Sequence, residues 1–197
     1  MLKKLFGAIT REEATTDITG TRVLVVAISV TELGPSISEA KEDHVILSKT
    51  YKSATFKRFS KPSELLSHVK QQPYDYCHLH VDLDENWQLA SGEGKSSLDQ
   101  LLNELVQSGV KWLWVASAYK FEKFDIAPRP PRGCHFILTG QRNAFGKFLG
   151  ELLDLMASGN SLPIAWVTIA PQHAAAQRDD LPMCLMVPGL GQTKFLP

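Results

Sequence analysis

The chain has 197 residues, with Lys+Arg and Asp+Glu balanced at 21 each and 44% hydrophobic residues against 21% charged. These are ordinary globular values that exclude intrinsic disorder, and folding at this size buries about 70% of the unfolded surface, so the core needs neither a disulfide nor a structural metal. Zero net charge is unlike a dedicated nucleic-acid binder, which carries a basic excess; it predicts poor colloidal solubility near pH 7 or a surface covered by a partner.

The N-terminus begins like a signal peptide, but its apolar run over 5–9 is too short and gives way to Arg11-Glu12-Glu13. Leu2, Leu5, Phe6 and Ile9 share one helical face. A short helix packed on its own domain or on a neighbouring subunit is expected, with a weak membrane-surface anchor as the sharper alternative. No run reaches the roughly 20 apolar residues of a membrane span.

Residues 21–30 form a continuous apolar run rich in β-branched side chains, the mark of a strand buried on both faces in a parallel sheet. Gly34-Pro35 breaks the run, and 36–48 reads as a helix. The alternating segment 54–59 reads as a strand nearer an edge. Ser60-Lys61-Pro62-Ser63-Glu64 is a helix start with Pro62 in the first turn, and Leu65, Leu66 and Val69 continue the stripe to about Gln71. A strand follows over 74–81, then an acidic, glycine-containing loop over 82–95. Residues 97–108 form an amphipathic helix with Leu98, Leu101, Leu102, Leu105 and Val106 inward and Gly109 as its C-cap. A buried strand over 110–117 leads into a loop over 119–132, then a strand over 134–139 and a helix over 143–158. Segment 162–171 is open: Ile164, Val167, Thr168 and Ile169 favour strand, whereas Ser161 before Pro163 and the Ile164/Val167 spacing favour a short helix. Residues 181–188 read as a last strand.

Cys77, Cys134 and Cys184 all sit in apolar, strand-like runs, in odd number and at wide spacing. Neither a disulfide framework nor a CxxC zinc pattern exists, so buried thiols in a reducing, cytoplasmic setting are expected. The alternation of strand and helix predicts an open α/β fold, with a mainly parallel sheet of about six strands, helices on both faces, and Val23–Ile28, 76–80, 111–116 and 136–138 at its centre. In such sheets the functional crevice lies at the C-terminal ends of the strands, which directs attention to the loops 82–95, 118–132 and 140–143.

Several motifs are set aside. Residues 82–93 nearly fit a calcium loop, but Trp87 stands where glycine is needed for the sharp turn and a strand precedes the segment, so a solvated acidic turn is expected. His78-Leu79-His80 is read with its imidazoles on opposite faces of a strand, one inside the sheet environment and one near its rim, unable to share a metal. No GxGxxG, GxxxxGK[ST] or GxSxG occurs. Lys120, Lys123, Arg129 and Arg132, interleaved with Phe121 and Phe124, make a basic loop read as solvated or as a protein contact.

One longer pattern is recognisable. Tyr74-Asp75-Tyr76-Cys77-His78 ends a strand before a loop; a Leu-rich helix and an apolar strand ending Ala116-Ser117-Ala118-Tyr119 follow; then come a strand and helix, a Leu-Pro segment ending Ala170-Pro171-Gln172, and a strand near 182–189. This order resembles the CHAT family, the caspase-like cysteine peptidases of clan CD, over about residues 22–190. Members typically carry a catalytic His after the first of these strands and a catalytic Cys after the second. Alignment on Tyr74, Asp75 and His78 puts the His position at Asp82, and alignment on Ser117-Ala118 puts the Cys position at Tyr119. Both dyad positions are therefore replaced. At pH 7 a free Cys is roughly 3% thiolate and a Tyr roughly 0.1% phenolate, and an ionised Asp cannot readily protonate a leaving amine.

The resemblance thus implies a caspase-like α/β domain over 21–190, with an N-terminal arm over 1–20 and a tail over 191–197. It implies a pseudopeptidase acting as a protein-interaction or regulatory module in a bacterial signalling or defence assembly. A protein partner or a second copy of the chain is expected, with no nucleic acid, cofactor, metal or integral membrane segment. The expected crevice holds His78, His80, Asp82, Asp84, Tyr119, Lys120 and Arg132. Two other readings stand beside this one: an active hydrolase using His80 or His78 with a non-standard nucleophile, and a small-ligand-binding flavodoxin-like domain.

Overall fold

A computed structural model describes residues 14–16, 20–32, 34–84, 86–92, 94–117, 134–140, 145–177, 184–187 and 193–195. In chain order, β1 (Ala14–Thr16) precedes β2 (Val23–Ile28), α1 (Pro35–Thr50), β3 (Thr55–Phe59), α2 (Pro62–Gln71), β4 (Tyr76–Val81), β5 (Gln88–Ser91), β6 (Gly94–Ser97), α3 (Leu98–Gln107), β7 (Trp112–Ser117), β8 (His135–Gly140), α4 (Phe145–Ala157), α5 (Leu162–Gln177), β9 (Cys184–Val187) and β10 (Thr193–Phe195). Six strands form one sheet in the order β3-β2-β4-β7-β8-β9. The first five are parallel, and β9 runs antiparallel to β8 at the far edge. The chain is an open, mainly parallel α/β fold.

Unbroken apolar sequence marks the centre of the sheet. Every residue of β2 and of β4 is buried, because helices cover both faces. The four strands expected at the centre are β2, β4, β7 and β8, and the alternating segment becomes the edge strand β3. The chain steps from β2 outward to β3, then returns past β2 to β4, so the topological switch lies between β2 and β4. Side-chain alternation divides the core in two. Val23, Val25, Ala27, Tyr76, Trp114 and Ile137 face α1, α4 and α5. Leu24, Val26, Cys77, Leu79, Val115 and Leu138 face α2, α3 and the β5–β6 hairpin.

Helix ends follow the chain's signals. Pro62 opens α2, and Glu64 reaches back to accept hydrogen bonds from the Ser60 backbone N–H and hydroxyl. Gly109 stops α3 with φ +98°, donating to Val106 while Val110 donates to Leu105, the paired bonds of a Schellman cap.

Two expectations change. Segment 82–95 is not a plain loop: Leu83 and Leu89 form an isolated bridge, and β5 and β6 pair antiparallel, because Leu83, Trp87 and Leu89 bury themselves under the sheet. Trp87 adopts φ +58°, the left-handed conformation that the calcium-loop comparison assigned to glycine, and its ring packs into the core. Segment 162–171 resolves as helix α5. Leu162, Ala165, Trp166, Ile169 and Ala170 are buried at helical spacing, while Ile164 and Val167 face outward at 52% and 68% exposure. Of the β-branched residues that favoured strand, Ile164, Val167 and Thr168 lie on the outer face and Ile169 on the inner one, and periodicity overrides propensity.

The arm and the tail each contribute a short strand: β1 pairs in parallel with β10. The expected helix carrying Leu2, Leu5, Phe6 and Ile9 lies outside the described residues. No helix among the described residues is long and apolar enough to cross a membrane.

Candidate functional site

The face of β4 turned to α1 is polar along its whole length. Tyr76, His78 and His80 alternate on it, and Asp82 continues the series just beyond the strand. The reading of His78 and His80 on opposite faces is therefore corrected: residues two apart on a strand share a face, and the two rings stand 5.0 Å apart. Neither lies near the rim; both imidazoles are 0% exposed.

α1 supplies the complementary series. Its inward stripe runs Ser36, Ile37, Ala40, Asp43 and Leu47, spaced at three and four residues. Asp43 enters the apolar core at 1% exposure and meets both imidazoles through one oxygen: Oδ2 lies 2.9 Å from His78 Nε2 and 3.0 Å from His80 Nε2. On the other side of His78, Nδ1 lies 2.8 Å from the Tyr76 hydroxyl. The sheet fixes the rings. His78 is flanked in register by Val25 and Trp114 and stacks on the indole at 5.3 Å, while His80 sits between Ala27 and Ala116, whose small side chains leave it room. Trp114 is itself held by an indole N–H bond to Thr139 Oγ1 at 3.0 Å.

The electrostatics follow from burial and these bonds. Burial alone pushes the Asp43 carboxyl up, but the hydrogen bonds and charge of His78 and His80 reverse this and hold it down at about 2. Burial pulls His78 below the ordinary imidazole range, and Asp43 only partly restores it. Burial raises the Tyr76 phenol well above its ordinary value, so it acts as a neutral hydroxyl.

Toward the C-terminal edge the polar series reaches solvent. The Ser36 hydroxyl donates to Asp82 Oδ1 at 2.8 Å, tying the end of β4 to the first turn of α1. Glu39, one turn before Asp43, is half-buried; burial raises its carboxyl, His80 opposes this, and Asp43 and Asp82 add to it. Asp84 belongs elsewhere. It accepts from the Asn86 and Gln88 backbone N–H groups at 2.9 and 3.0 Å and from Lys95 Nζ at 2.7 Å, and so organises the hairpin turn. β4 and β7 are parallel neighbours, so Val81 and Ser117 end at one edge. Tyr119, Lys120, Arg132 and the basic loop lie outside the described residues.

Cys77 and Cys134 take no part in this site. They are free and buried, and burial raises both, Cys134 to about 11, so neither is a ready thiolate. Cys184 lies in β9, antiparallel to β8.

Of the expected crevice, the fold thus joins His78 and His80 in one buried cluster and places Asp82 at its outer end. Sequence reasoning missed Asp43, Tyr76, Ser36 and Glu39. The available signal was an acidic residue on the inward stripe of α1 in a chain that also carries His-x-His on a fully buried strand. No protein-family model matches the chain, and no curated protein matches it.

Proposed function

We propose that the chain is a non-catalytic, caspase-like domain that works by binding a protein partner, with the C-terminal edge of the sheet as its working surface. The observation that carries the reading is the Ser36–Asp82 bond at the end of β4. Asp82 stands where the resemblance places a catalytic imidazole, and α1 already engages its carboxylate. The imidazoles nearest to it in sequence, His78 and His80, are shut inside the core, where a substrate amide does not reach them. Proton transfer requires hydrogen-bond reach between base and substrate, and this burial weighs against the hydrolase reading. The flavodoxin-like reading is weakened at the same place: the N-terminus of α1, beside the topological switch, is where a ligand phosphate would bind, and Asp82 puts a negative charge across it.

The test incubates the full chain with a peptide library across a broad pH range and reads cleavage by mass spectrometry. The expected result is no cleavage above background. Saturable cleavage that disappears in His80→Ala while the fold is retained overturns the reading.

A further inference from the structure

We propose that Asp43, His78 and His80 form a binding site for one divalent transition-metal ion, zinc before others, set between α1 and β4. One ligand atom from each residue lies within 4.8 Å of the other two, and all three residues are buried. Two imidazoles and one carboxylate are a donor set that zinc accepts. Calcium and magnesium, which favour all-oxygen shells, suit it poorly.

The surroundings fit a metal in three ways. First, among the described residues Asp43 meets imidazoles and no lysine or arginine, so a carboxylate withdrawn from water has no fixed cation beside it. Second, the Tyr76 hydroxyl at His78 Nδ1 either donates or accepts. When it accepts from Nδ1–H, the Nε2 lone pair points toward Asp43 and the ion, the outer partner a metal-bound imidazole ordinarily has. Third, Glu39 lies one turn before Asp43 on α1, half-buried and in charge contact with both His80 and Asp43. Its carboxylate lies outside the three-donor group, on the stretch of α1 between that group and the Ser36–Asp82 edge, where its charge would draw an ion inward.

The donor separations are those of a cluster holding protons in the ion's place. The two Nε2 atoms stand 2.9 and 3.0 Å from Asp43 Oδ2, whereas bonds of about 2.0–2.2 Å to a tetrahedral zinc set donors about 3.3–3.5 Å apart. Each donor must retreat by a few tenths of an ångström, a side-chain adjustment. On binding, both Nε2 atoms give up their protons: that of His78 moves to Nδ1, where Tyr76 accepts it, or leaves to solvent, and that of His80 moves to its own Nδ1 or leaves to solvent. Full burial makes this a closed site that clamps α1 to β4.

The test uses the full chain, prepared without a polyhistidine tag and stripped with a chelator. Calorimetry with zinc is expected to give one equivalent bound at about 1 μM or tighter. Cobalt should produce visible d–d bands that zinc abolishes. Asp43→Asn and His80→Asn should each weaken zinc binding by more than about 100-fold, with circular dichroism checking the fold. Glu39→Gln changes a half-buried helix position, leaves the fold intact and should weaken binding about tenfold. His68→Gln, outside the cluster, should change nothing. Failure of the folded, stripped wild type to bind zinc at 100-fold higher concentration than expected overturns the proposal. Equal affinity in the wild type and Glu39→Gln together with folded Asp43→Asn does the same.

Discussion

Removing the Asp43 carboxylate is the most informative single perturbation of the fold. In Asp43→Ala, His78 and His80 each keep a buried ring nitrogen that has lost its oxygen partner at 2.9 or 3.0 Å. A buried donor left unsatisfied costs about 1–3 kcal/mol, so two cost about 2–6, in line with the roughly 3–5 kcal/mol lost when a buried ion pair is broken from one side. Against a total stability of about 5–15 kcal/mol this is a large fraction. Asp43→Asn keeps the shape and one carbonyl acceptor, and should lose about 2 kcal/mol. The assay is guanidinium unfolding in the presence of a chelator, followed by tryptophan fluorescence, to which Trp114, stacked on His78, contributes. For a chain of this size the Asp43→Ala midpoint should fall by about 1 M. An Asp43→Ala midpoint within 0.2 M of the wild type, roughly the error of the method, would refute the assignment of Asp43 as the clamp between α1 and β4.

The other expected outcomes address pH, packing, capping and thiol chemistry. Because burial lowers His78 below its unfolded value, the unfolded state takes up protons first as pH falls. Stability is then complete above pH ~6.5 and declines below it, with a slope approaching about 1.4 kcal/mol per pH unit for this group, and Asp43 adds a further loss below pH ~3.8 down to its folded value of about 2; denaturant midpoints from pH ~8 down to pH ~2 check both windows, and a flat profile between about 7 and 5 contradicts the first. Ala116→Val crowds His80 from the neighbouring strand and should cost about 1–3 kcal/mol by thermal unfolding. Gly109→Ala forces φ +98° on a residue with a Cβ and should cost about 1–2 kcal/mol. Cys77 and Cys134 should resist alkylation in the native state and react on unfolding, as mapped by mass spectrometry.

Much of the fold was legible because it rests on local signals. Continuous apolar runs identified β2, β4 and β7; Pro62 and Gly109 marked the ends of two helices. The hairpin was not legible, since Gln88–Ser91 and Gly94–Ser97 are short and mostly polar, and it is the burial of Leu83, Trp87 and Leu89 that holds them. α5 was undecided because Ile164, Val167, Thr168 and Ile169 make a β-branched cluster of which only Ile169 turns inward. The buried cluster was missed for a geometric reason: His78 and His80 were assigned to opposite faces, which removed the cue to seek a third partner. Asp43 lies 35 residues away from His78, and only the packing of α1 over β4 brings them together.

The account turns on the inaccessibility of His78 and His80, since a base that solvent cannot reach does not serve peptide hydrolysis. Histidine acylation of the folded full chain, quantified residue by residue by mass spectrometry, measures this directly. His44 and His68, which are partly exposed, should be modified, whereas His78 and His80 should stay unmodified until the chain is denatured. Modification of His80 in the native state at a rate comparable to His68 would contradict the account and return the hydrolase reading to first place.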